Sequence, residues 1–385
     1  MKILFFIFIS FCKGDLVNLS NTSNLNSLKY SLLLKYDRDN IPKQTEPLDL
    51  SLQLELDSIN DVSQLEGTVS YNIWLNYNWY DYQLKWDKQY YNIDKLTFNT
   101  EPNYETSIWI PDIELINHAN FGFNLKYTRA NVYSNGSISW LRPGTLKAIC
   151  NFDLSKYPYD KQECFLKFKS IAYSKTDINL FTKNIILDYY KDNSEWELTN
   201  TDSYIYNSNF NNEIYYKFYL TRISSYYNIN IIFPLFILGF LNIITVFIPI
   251  NEGDRISFSI TLLLSIIVFL SLVSDSIPKS RQVPFLSKLV ISFIVYSFFS
   301  IIGIIFICRL NNYIKYFSDL ETNQIDNKVV KYIYIFFGKL QLINNIEEND
   351  NVNNNLKKIL KWSEVIYTIL SILYFIIIIL FLFIE

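Results

Sequence analysis

Ser257, Thr261, Leu264, Val268 and Leu272 recur at intervals of four, three, four and four residues. That spacing stacks side chains on one face of an α-helix. The face begins with small hydroxyls and continues with bulky apolar groups. It lies inside an apolar run over 256–273, about long enough for a hydrocarbon core of ~30 Å. A hydroxyl start serves little purpose against lipid. Around a shared axis it lines a pore: hydroxyls wet the narrow end, and Leu264 with Val268 forms an apolar constriction that gates by dewetting. The competing reading is that Ser and Thr return hydrogen bonds to carbonyls one turn back in a packed helix. Glu252-Gly-Asp254-Arg255 stands before the stripe and Asp275 follows it. Asp254 would also suit the positive end of the helix dipole.

Other chemistries find less support. His118 is the only histidine, and no metal cluster or nucleophile–base set accompanies it, so the sequence points to no enzyme, metal or cofactor. A net charge of -3 over 385 residues gives no reason to expect nucleic acid as a partner. Residues 1–14 read as a signal peptide: Lys2, a short apolar run and then small residues. Its removal would take Cys12 and leave Cys150, Cys164 and Cys308. Cys308 lies in an apolar helix and reads as a buried thiol. Cys150 and Cys164 are then the pair to close a disulfide in an oxidising compartment. Glycosylation sequons at Asn18, Asn21 and Asn135 agree with export.

The elements that must position these residues follow from periodicity. Within an extracellular domain over 15–225, residues 25–225 hold no long apolar run but alternate, as in Leu48 to Leu56, where leucine takes every second place. That is a half-buried strand. Recurrence of such segments between turns predicts an antiparallel β-sandwich, with a short helix near Ser27 to Tyr36. Four apolar runs predict membrane helices over 229–250, 256–273, 286–308 and, within 362–385, from Val365 to Ile384. Residues 226–309 then hold the first three helices. Residues 310–361 form an intracellular loop whose end, Leu356 to Trp362, continues helically into the fourth span. With the signal cleaved, both termini and the β-sandwich lie outside.

Cys150 and Cys164 bracket thirteen residues that include Tyr157-Pro158-Tyr159-Asp160. This resembles the loop that names the Cys-loop receptors, the pentameric ligand-gated ion channels. An ordinary staple in a secreted β domain is the bland reading of the spacing alone. The resemblance extends over nearly the whole mature chain. Trp79-x-Asp81-x-x-Leu84-x-Trp86, Trp109-Ile-Pro111-Asp112, Arg142-Pro143-Gly144, Arg222 before Tyr226-Tyr227, and Asn230-Ile-Ile-Phe-Pro234 all fall in family order. The resemblance implies an extracellular β-sandwich and a four-helix transmembrane bundle. It places Asp254 at the inner selectivity ring, with Glu252 beside it, and Asp275 at the outer ring. Five carboxylates around one axis would concentrate cations, and the Pro-Ala typical of anion-selective relatives is missing. Coupling residues carried over are Arg222, Tyr157, Pro158, Tyr159 and Asp160. The loop from Ile277 to Pro284, with Pro278 and Pro284, and a turn carrying Asp61 or Glu66 would join them.

The chain departs from the pattern where nicotinic agonists are held. The aromatic box binds quaternary ammonium through π faces, yet Ile116 and Ile171 stand where its principal side needs Tyr and Trp. Between Trp196 and Glu213 there is no cysteine, only Tyr204, Tyr206 and Phe210 among candidate contacts. The complementary side fares better: Trp74 matches the tryptophan that relatives contribute from a neighbouring subunit, and Ser139 and Leu141 align weakly. Sandwich-surface packing is the other reading of Trp74. The resemblance therefore implies a non-α subunit of a cation-selective, nicotinic acetylcholine receptor-like channel in a postsynaptic plasma membrane. It would assemble with other subunits of the family, bind acetylcholine or a related amine, and contribute the complementary face. The alternatives are a homomeric channel gated by another ligand, and a pore-less, membrane-anchored adhesion or binding protein.

Overall fold

The computed structural model describes residues 24–42, 45–101, 104, 106–119, 125–207, 212–249, 254–276, 283–320 and 349–384. The signal segment, Asn18, Asn21, Glu252 and Pro278 lie outside the described residues. The chain divides into two units: one holds residues up to Asp153 and Lys161–Ile223, the other Leu154–Asp160 and everything from Ser224.

The first unit is a β-sandwich led by a helix, α1, over residues 24–33, and it carries a short second helix, α2 (Lys88–Tyr91). Its larger sheet runs β3 (Lys95–Phe98), β5 (Ala130–Tyr133), β6 (Ser137–Ile149), β2 (Thr68–Tyr80), β1 (Leu48–Ser63) and β8 (Ile178–Thr182). Its smaller sheet runs β4 (Ile113–Leu115), β7 (Lys161–Ser170), β10 (Asn212–Arg222) and β9 (Trp196–Asn207). The leucine alternation on β1 works as its period demands: Leu50, Leu52, Leu54 and Leu56 are all fully buried. Each such side chain contributes roughly 1.5–3 kcal/mol by leaving water. The expected fold class holds with one correction. The sheets are not wholly antiparallel, because β8 lies parallel to β1, from Leu48 opposite Ile178 to Leu52 opposite Thr182. A parallel partner needs a long crossover, and here the chain crosses the smaller sheet before it returns.

The tryptophan motifs are core architecture. Trp79, Leu84, Trp86 and Trp109 are buried, and Trp79 meets Trp109 edge-on at 6.1 Å. Asp81 is buried among them, and its carboxylate accepts from the Tyr36 hydroxyl at 2.7 Å and the Gln83 amide at 2.9 Å. Tyr36 accepts in turn from the Trp109 amide at 3.1 Å. Asp112 accepts from Ser170 at 2.6 Å and from the Ile171 amide at 3.0 Å, which fixes the end of β7. The acids of both motifs, Asp81 buried and Asp112 partly so, thus satisfy polar groups that the sandwich would otherwise strand.

Among the described residues, the second unit holds four helices long and apolar enough to cross a membrane. They are α3 (Ser225–Phe247), α4 (Asp254–Ser276), α5 (Phe285–Leu320) and α6 (Asn349–Ile384). Helix α3 passes through a π turn at Asn228–Ile232 before Pro234 and ends in a 3-10 turn at Thr245–Phe247. Proline lacks the N–H that would close a regular turn, and a wider turn accommodates the loss. Helix α5 runs past Cys308 as far as Leu320, and α6 begins at Asn349. The connection expected over 310–361 is therefore helical at both ends.

Candidate functional site

The disulfide forms between Cys150 and Cys164, while Cys308 is a buried free thiol. The tip of the loop that the disulfide closes packs inside the helical unit. Ser155 and Tyr157 carbonyls accept from the amides of Phe285 and Leu286 at 3.0 and 3.2 Å, which satisfies orphan donors at the start of α5. Tyr157 is buried edge-on against Tyr227 at 5.2 Å, and the Tyr159 hydroxyl donates to Asn228 at 2.6 Å. The Tyr157–Pro158 bond is cis, and Pro158, Asp160 and Pro284 are buried. Arg222, at the end of β10, lays its guanidinium over the Trp196 ring at 4.2 Å. Of the two acids considered for the neighbouring turn, Glu66 takes Lys147 at 2.5 Å, and that partner holds its carboxyl below the usual range.

On the sandwich, the two sets of agonist-position residues occupy different sheets. Trp74 projects from β2 on the outer face of the larger sheet and is 41% exposed. On β6, Pro143 lies opposite Trp74 and Leu141 opposite Asn76. Leu141 is exposed on the same face, and Ser139 donates to Asn76 at 3.1 Å. Asn135, the sequon asparagine in the turn before β6, is exposed and accepts from Ser137.

Ile116 follows β4 and Ile171 follows β7, both exposed, while Tyr204 and Tyr206 project from β9 on the smaller sheet. The two sets cannot meet within one protomer. Two features here escape sequence reasoning. Tyr215 on β10 packs against Tyr204 and Tyr206 at 5.4 and 5.6 Å, and the Lys167 ammonium sits over the Tyr215 ring at 4.8 Å. Burial first, then a hydrogen bond to Glu213, pushes the Tyr215 hydroxyl up to about 12. Lys167 and Tyr215 are register partners, a relation visible only once strands are paired. The aromatic cluster thus already holds a cation from its own chain.

Helix α4 is amphipathic in a particular sense. Ser257, Thr261, Leu264, Val268 and Leu272 are all exposed, the last three at 59, 55 and 62%. Arg255, Ser259, Leu262, Ile266 and Val273 are buried on the opposite side. The Thr261 hydroxyl donates to the Ser257 carbonyl at 2.9 Å. The Thr261 hydroxyl thus satisfies the backbone while remaining on the exposed face, so the two readings of the stripe coexist there. Asp254 is exposed at the first turn, and Asp275 lies in the last turn. Among the described residues no cluster of His, Cys, Asp or Glu could hold a metal, and His118 lies on a bridge to Ala148.

Comparison with known proteins agrees with this architecture. Residues 25–224 match the family described as "Neurotransmitter-gated ion-channel ligand binding domain". Residues 231–354 match "Neurotransmitter-gated ion-channel transmembrane region". The chain belongs to the neurotransmitter-gated ion-channel family, the Cys-loop receptors, which are channels rather than enzymes. It is similar to neuronal acetylcholine receptor subunit alpha-6 of Pan troglodytes, 30% identical over 69% of this chain and 55% of the relative. The same subunit of Rattus norvegicus is 29% identical over 79% of this chain and 62% of the relative. Acetylcholine receptor subunit alpha-type acr-16 of Caenorhabditis elegans is 34% identical over 64% of this chain and 51% of the relative. The chain thus spans little more than half the length of these relatives.

Proposed function

We propose that this chain is a subunit of a cation-selective pentameric channel of the plasma membrane, with α4 lining the pore. The observation that carries the proposal is the exposure of the Ser257-to-Leu272 stripe beside an exposed Asp254, with the opposite face buried. A pore-less adhesion protein has no use for such a face. Asp254 would form the inner ring and Asp275 the outer. The packing of Tyr157 and Tyr159 against α3 and α5 supports a role for the loop tip in coupling agonist binding to the pore. Pro284, at the start of α5, would share that role with Arg222.

The agonist would be acetylcholine or a related amine, held between this chain and another subunit. Trp74, Ser139 and Leu141 would supply the complementary side. Although the relatives named are alpha subunits, this chain carries Ile116 and Ile171 and lacks cysteine between Trp196 and Glu213. Those residues support a non-α assignment. Isoleucine gives apolar contact but no ring quadrupole for an ammonium group.

The test is the reversal potential of channels formed with an α-type partner, recorded while sodium and then chloride are replaced. Reversal should follow sodium, and one that tracked chloride would sink the proposal. Asp254→Lys should weaken cation preference more than Asp275→Lys, because ions at the narrow inner end feel charge with less screening.

A further inference from the structure

We infer that Arg255 and Glu364 form a charge clamp that keeps the Asp254 ring electrically uncompensated. The inference rests on α4 lining the pore and deepens that reading. Arg255 directly follows Asp254, so a cation enters the chain beside the very acid that would attract permeant cations. An arginine pointing at the axis would cancel that acid. The helix instead carries the two side chains to different faces. Asp254 is exposed, whereas Arg255 is fully buried on the side away from the stripe.

Three groups, from two helices, hold the guanidinium there. Its Nε donates to the Thr245 carbonyl at 2.9 Å and an Nη donates to the Val246 carbonyl. Both carbonyls belong to the closing 3-10 turn of α3, where helix-end carbonyls lack partners and the dipole favours a cation. The other Nη meets the Glu364 carboxylate of α6 at 3.4 Å. A polar seam continues from this point. Thr245 donates to the Asn242 carbonyl at 2.5 Å, Asn242 to Ser297 of α5 at 2.8 Å, and Ser300 bonds Tyr367 of α6 at 2.5 Å. All four helices are therefore joined by polar contacts in the half of the bundle that begins with Asp254.

Two consequences follow. The rotation of α4 about its own axis is fixed by a charged group, so the stripe and Asp254 face one way together. The positive charge of Arg255 is neutralised locally by Glu364, 109 residues away in sequence. Without Glu364 that charge would stand uncompensated on the residue next to Asp254 and would oppose the ring, the more so at low salt. Glu364 is thus a positioning and charge-balancing residue that never touches the permeant ion.

The test uses the full chain, expressed with an α-type partner, with Glu364→Gln, Arg255→Gln and the double variant compared for surface expression and single-channel sodium conductance. Glu364→Gln should lower conductance by about twofold in low-salt solution, with the deficit shrinking as salt rises. The double variant should restore wild-type conductance, because the uncompensated cation has gone. An unchanged conductance in surface-resident Glu364→Gln channels would overturn the clamp, since a merely structural glutamate would alter channel number and not current per channel. Should Glu364→Gln fail to reach the surface, the double variant should recover expression, because a buried cation stranded without its partner is worse than two neutral groups. No recovery would equally overturn the inference. Wild-type reversal potentials recorded alongside separate the outcomes: tracking chloride would reject the cation-channel reading, while the expression comparison would still decide the clamp.

Discussion

Single side chains in this protein act by what they place in or withhold from water. Leu264 lies between Thr261 and Val268 on the exposed stripe, where an apolar ring would close a pore by expelling water. Leu264→Ser should wet that ring and favour the open state. The agonist concentration for half-maximal current should fall about tenfold or more, a shift of ~1.4 kcal/mol or more in the equilibrium, and some channels should open unliganded. An unchanged dose response in channels shown to contain the variant would remove Leu264 from the gate.

Asp81 gives a titration of the opposite kind. Burial raises its carboxyl above the usual range, partly offset by the Tyr36 and Gln83 hydrogen bonds. The folded domain therefore holds that proton more tightly than the unfolded chain. The resulting stability is present in full below the unfolded value and is lost as pH rises through the raised folded one. Each tenfold gain in proton affinity is worth about 1.4 kcal/mol. Asp81→Asn cannot ionise, so wild type should lose thermal stability relative to the variant as pH climbs from about 3 to 7. A difference that stays flat with pH would contradict the assignment.

Among the elements, the loop between Cys150 and Cys164 is the most directly testable. Closing fourteen residues of separation restricts the unfolded chain and stabilises by roughly 3 kcal/mol in the chain-entropy model. The Cys150→Ala, Cys164→Ala double variant should lose about that much, seen as a lowered unfolding midpoint in purified protein, whereas equal midpoints would show the bridge to be energetically idle.

Elements were legible in the sequence where one short-range period decided the outcome. The leucines of β1 at every second place and the α4 stripe at helical intervals each announced a face. What stayed hidden depends on contacts remote in sequence. Lys167 meets Tyr215 only through strand register, and β8 lies parallel to β1 only because of a long crossover. Arg255 reads as a flank of the pore helix until α6 brings Glu364 beside it. The reach of α6 back to Asn349 is not legible in the sequence, because Asn and Asp there carry no apolar period.

For the molecule as a whole, the division of agonist-position residues between two sheets has a plain result. The site proposed above would then form where the larger sheet of one subunit faces the smaller sheet of another. On its own smaller sheet this chain offers Ile116 and Ile171, and its tyrosines already hold Lys167. Two lost π faces would leave an ammonium ligand about 4 kcal/mol short if the contributions added, near a thousandfold in affinity. The chain expressed alone should therefore show neither acetylcholine current nor specific binding of quaternary-ammonium agonists. With an α-type partner, Trp74→Ala should weaken agonist action. Robust currents from the lone subunit would overturn the assignment. A silent Trp74→Ala would confine the chain to a structural place in the ring.

The loop tip carries a practical consequence for anyone wishing to isolate the β-sandwich as a soluble fragment. Leu154 and Tyr157 are buried, and the backbone around them bonds to Phe285 and Leu286. Cutting the chain at the end of β10 would leave residues 154–160 attached to the sandwich but deprived of Tyr227, Asn228, Phe285 and Leu286, which they meet in the whole chain. Apolar side chains and two carbonyls at the tip of the loop would then lose their cover, a ready seed for self-association. Such a fragment would remain monomeric only after the tip had been rewritten in polar residues. In a preparative sense, the disulfide belongs to one half of the protein and the loop it closes belongs to the other.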